Sequence, residues 1–77
     1  MLKYVVVKES GNDLAVVDIC SSIKEAEDLA AGEFKLLKGD ELENSVIAIR
    51  EIAEDVLDGM SDFSIIKDQK LVKEFKK

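Results

Sequence analysis

The chain has no histidine, no proline and no tryptophan, and only one cysteine and one arginine among its 77 residues. Each absence removes a class of structure or function. Without histidine, the commonest general base, proton shuttle and transition-metal ligand is missing. A single cysteine, Cys20, forms no intrachain disulfide and cannot build a structural zinc site. It closes an apolar run and has no imidazole to lower its pKa, so it reads as a half-buried, unreactive thiol. Glycine is sparse as well: Gly11, Gly32, Gly39 and Gly59 stand far apart, which leaves no glycine-rich loop to cradle a phosphate. No run approaches the roughly 20 apolar residues of a membrane span. The opening Met1-Leu2-Lys3-Tyr4 does not lead into a secretory signal. A cytoplasmic, reducing environment is therefore expected, with no membrane contact and no cofactor.

What is present suffices for one folded domain. The hydrophobic content of 47% is that of an ordinary globular chain, and at this length roughly 60–65% of the unfolded surface is buried around one small core. No repeat, low-complexity segment or shift of composition divides residues 1–77.

The spacing from Ser21 to Gly39 predicts the main helix. Ser22 followed by Glu25 is a capping box, in which each side chain satisfies a backbone N–H left free at the helix start. Ile23, Ala26, Ala30, Phe34 and Leu37 recur at steps of three and four and share one face that has to be buried. Gly39 is expected to end the helix in a left-handed conformation.

Residues 2–8 and 14–20 are rich in β-branched side chains and flank the turn-forming cluster ESGND, which predicts a hairpin. The run Tyr4-Val5-Val6-Val7 is apolar on both faces, so this strand belongs inside the sheet with something packed on each side. Val46, Ile47 and Ile49 predict a third strand over residues 45–52, reached through the polar link Asp40–Asn44. Ile52, Val56 and Met60 are spaced by four and predict a short helix ending at Gly59, in preference to a tight turn at Asp58-Gly59. Phe63 to Lys67 reads as a strand. Asp68-Gln69 then either turns the chain into a final strand, Lys70 to Phe75, or caps a terminal helix; the hairpin is preferred.

The fold class is accordingly α+β, a small two-layer sandwich in which one long helix packs on an antiparallel sheet, in the order β-β-α-β-(short α)-β-β. The general pattern resembles that of small bacterial and phage accessory proteins, without a motif that assigns a family.

Carboxylates are the one abundant reactive group. Asp55, Asp58 and Asp62 lie close in sequence, but the spacing fails the alternate-oxygen pattern of a calcium loop. A carboxylate pair for glycoside chemistry would need a sugar-enclosing cleft for which so small a core has little room. Charge is more informative. Residues 39–66 carry eight acids and only Arg50, whereas residues 67–77 carry five lysines against Asp68 and Glu74. The expectation is a non-enzymatic protein-interaction or regulatory module whose acidic segment meets a partner with a basic surface, through Glu41, Glu43, Glu54, Asp55 and Asp58. An alternative is an acidic inhibitor or nucleic-acid mimic that blocks a nuclease or DNA-binding complex. The lysine tail is not expected to bind nucleic acid directly on a chain of net charge −6, which phosphates would meet with net repulsion. The two-sided apolar first strand also raises the expectation of a homodimer.

Overall fold

The sheet is built from β1 (Leu2–Ser10), β2 (Asp13–Cys20), β3 (Ser45–Ala53) and β4 (Lys70–Phe75), all antiparallel, in the order β2-β1-β3-β4. The structure, a computed structural model, describes residues 1–60 and 63–77, and the side chains of all of these except Phe63 and Ser64. Strand β1 lies inside the sheet, as its two apolar faces require. The β1–β2 loop is shorter than the expected ESGND: pairing runs to Ser10 and Asp13, leaving only Gly11 and Asn12 in the turn. Gly11 takes a φ of 60° and no non-glycine among the described residues, Asn12 included, has a positive φ, the requirement of a two-residue hairpin with glycine at its first central position.

Helix α1 (Ile23–Leu36) crosses one face of the sheet. Ser22 Oγ accepts the Glu25 N–H at 3.2 Å, so one half of the capping box forms. Ala26, Ala30 and the following Leu37 are buried with Val6, Cys20, Ile47 and Ile49, and Phe34 packs against them. Ile23, at the first turn, is left exposed. The helix stops at Leu36, earlier than expected, and Gly39 has a different role from the predicted stop. At φ 61° and ψ −129° it occupies backbone space open essentially to glycine alone and starts a further short helix, α2 (Asp40–Asn44), where the sequence suggests only a link.

The second face of the sheet is covered as well. Val5, Val7, Ala48 and Ile52 are buried there beneath α3 (Glu54–Asp58) and a 3-10 helix (Phe63–Asp68), with Leu57, Met60 and Ile66 packed onto them. Val56, which the four-residue spacing places in a buried stripe, is instead exposed. The Phe63 to Lys67 segment is not a strand. β4 already occupies the outer edge of β3, and the tighter turn drops Ile66 into the core while Ile65 stays outside. Residues Lys70 to Phe75 do form the final strand rather than a helix.

Val5, Val6 and Val7 are thus fully buried within one chain. The surplus apolar surface from which a homodimer is expected is met internally, by α1 on one side and the α3 and 3-10 segment on the other.

Candidate interaction surface

Strand β3 is the axis of the candidate surface, because an acidic helix lies at each of its ends. Helix α2 precedes Ser45 and carries Glu41 and Glu43; α3 follows Ala53 and carries Glu54, Asp55 and Asp58. A nine-residue strand rising about 3.3 Å per residue sets the two groups roughly 25–30 Å apart. The five carboxylates therefore do not converge on one patch. A nucleic-acid mimic calls for one continuous acidic surface, and these residues do not make one. Asp62 lies outside the described residues.

The two groups also differ in their partners. Glu41 Oε2 meets Lys8 Nζ at 3.0 Å, and Glu43 Oε1 meets Lys77 Nζ at 3.1 Å. Lys73 and Lys76 pair with Glu27 and Glu74 in the same way. Much of the basic tail is thereby folded back onto acids of its own chain, and the charge segregation of the sequence is partly cancelled around α2. At the opposite end none of Glu54, Asp55 and Asp58 forms an ion pair among the described residues. Asp55 and Asp58 are exposed and Glu54 is half-buried.

Both free edges of the sheet are blunted against an added strand. In β2 the register slips between Val6 and Val7, which leaves Val17 as an extra residue, and Asp18 Oδ1 accepts the Ile19 N–H at 2.7 Å. A bulge breaks the regular spacing of edge groups and the side chain occupies one of the donors. β4 carries a second bulge, beside Arg50, together with Lys70 and Lys73, and edge lysines oppose pairing in the same way.

Polar groups in the interior include the hydroxyl of the buried Ser45, 2.7 Å from Ser10 Oγ, together with Arg50 and Cys20. Arg50 Nη2 lies 3.5 Å from Glu9 Oε2 and its Nη1 donates to the Gln69 carbonyl at 3.1 Å. Its Nε is buried without a hydrogen-bond partner among the described residues. Cys20 is buried, and burial first, then the nearby Asp18 and Glu25 carboxylates, push its thiol pKa up from 9.0. A thiol so placed stays protonated at neutral pH, the opposite of the tuning a nucleophile needs. Among the described residues there is no pocket and no group of three or more acidic or cysteine side chains placed to hold a metal ion. No helix among them is long and apolar enough to cross a membrane. No family model, curated protein or solved structure matches the chain.

All five carboxylates are legible in the sequence, but the difference between them is not. That difference depends on Lys8 and Lys77, which are 33 and 34 residues away from their partners. The exposed apolar residues around α3 are hidden in the same way, because Val56 reads as core by its spacing although it is exposed.

Proposed function

We propose that the chain is a small non-enzymatic protein-interaction or regulatory module that recognises a basic partner surface through the α3 end of its sheet. The observation that carries this reading is the gathering of Glu54, Asp55 and Asp58 on one short helix without ion pairs among the described residues, in contrast to the lysine-paired Glu41 and Glu43. Carboxylates not closed into ion pairs project a longer field, which steers a cationic partner and selects against an anionic one.

The test compares affinity capture from cells of origin by the parent, by a Glu54→Lys, Asp55→Lys, Asp58→Lys variant and by a Glu41→Lys, Glu43→Lys variant, at low and high salt. A partner retained by the parent and the α2 variant, lost with the α3 variant and weakened by salt supports the reading. Salt acts because the Debye length falls from about 10 Å at 0.1 M to about 3 Å at 1 M. A partner held equally by all three proteins at both salt concentrations contradicts it.

A further inference from the structure

Four large exposed apolar residues, Met1, Leu2, Ile23 and Val56, belong to segments that the backbone brings to this same end. Leu2 pairs with Ala53 across the sheet. The Met1 carbonyl accepts the Glu54 N–H that opens α3, at 2.9 Å. Lys3 Nζ donates to Ser21 Oγ at 3.3 Å, which ties the start of β1 to the residues just before α1. The beginnings of α1 and α3 thus each meet the start of β1, from opposite faces of the sheet, with the strand ends between them. Glu25 in the first turn of α1 and the three carboxylates of α3 flank them, against Lys24 and the Ser21-bound Lys3.

Resting on the reading above, we infer that this end docks an amphipathic helix of a partner protein, its apolar stripe against Leu2, Ile23 and Val56 and its flanking lysines or arginines against Glu25, Glu54, Asp55 and Asp58. Exposed apolar residues rimmed by charge are the chemistry of a docking site. A helix is the occupant that fits. The surface lies across strand ends, where no row of backbone groups is available to an added strand, so a partner has to offer side chains on a regular face. A second copy of this chain fits poorly, since a two-fold contact here would set the same carboxylates against each other.

The experiment titrates the isotope-labelled full chain with a synthetic Leu/Lys helix of about 14 residues, four turns, and follows amide shifts. One control peptide has the same composition in an order without an apolar stripe; another replaces Lys by Glu. The expected result is saturable shifts confined to Leu2, Ile23 and Glu54 to Asp58, with both control peptides binding at least about tenfold more weakly. A variant with Ile23→Ser and Val56→Ser, both at exposed positions, should keep the amide spectrum of the fold and also lose about tenfold in affinity. Equal binding of the stripe-less cationic peptide at the same end overturns the helix inference and leaves the acidic-surface reading intact. Shifts from neither cationic peptide at Glu54 to Asp58, or shifts centred on Leu36 or Leu71, overturn both.

Discussion

Arg50 ties three elements together across the sheet. From β3 it reaches Glu9 on β1 and the Gln69 carbonyl at the entrance to β4, and its side chain keeps only 14% of its exposure against 19% for Glu9. Removing one member of so enclosed a pair strands the other, so Arg50→Ala is expected to cost about 2–3 kcal/mol. Denaturant unfolding measures it; a loss within 0.5 kcal/mol, the ordinary scatter of surface substitutions, would show that solvent holds these groups as well as the protein does. Cys20 makes a second prediction, through pH. A thiol pKa raised on folding favours the native state fully below the ordinary value of 9.0, and that contribution is lost as pH rises through the raised folded value. Stability should therefore fall between neutral and strongly alkaline pH by less in Cys20→Ala than in the parent. Parallel pH profiles of the two proteins would refute it.

At the scale of elements, legibility in the sequence follows from how local each decision is. Helix α1 is readable because its cap, its stripe and its length lie within one stretch. Ala30, fully buried against the sheet, gives the sharpest check. Ala30→Asp puts an unpaired charge in the core and should cost several kcal/mol, enough to unfold a small domain, while Ser22→Ala should cost about 1 kcal/mol by removing the cap. Thermal melts of the two variants in that order of damage are expected; an Ala30→Asp melt that overlays the parent would mean the stripe is not buried. Helix α2 is not readable, because five residues with Leu42 as their one apolar side chain carry no period. In β4, Val72 conflicts with strand alternation until the bulge beside Arg50 is known; as the extra residue it joins Phe75 on the α1 side. The 3-10 helix was equally out of reach. Whether Ile65-Ile66 extends or turns depends on which sheet edge is vacant, and β4, which follows it in the chain, has taken that edge.

For the whole molecule, the sequence shows charge as blocks and the fold rearranges it into ends. The acidic middle is divided by the length of β3, one half compensated by Lys8 and Lys77 and the other left facing solvent beside Met1, Leu2, Ile23 and Val56. Compensation of this kind requires residues far apart in the chain to meet, which no local pattern announces. For the molecule as a whole the proposal is recognition at the α3 end. Photo-cross-linking in cells of origin tests it most directly, with a photoreactive residue placed in turn at Ile23 and Val56 and, as exposed controls elsewhere, at Leu36 and Leu71. Discrete protein adducts from Ile23 and Val56, and none from Leu36 and Leu71, are the predicted result. Adducts from Leu36 or Leu71 alone, or from none of the four positions, would contradict it.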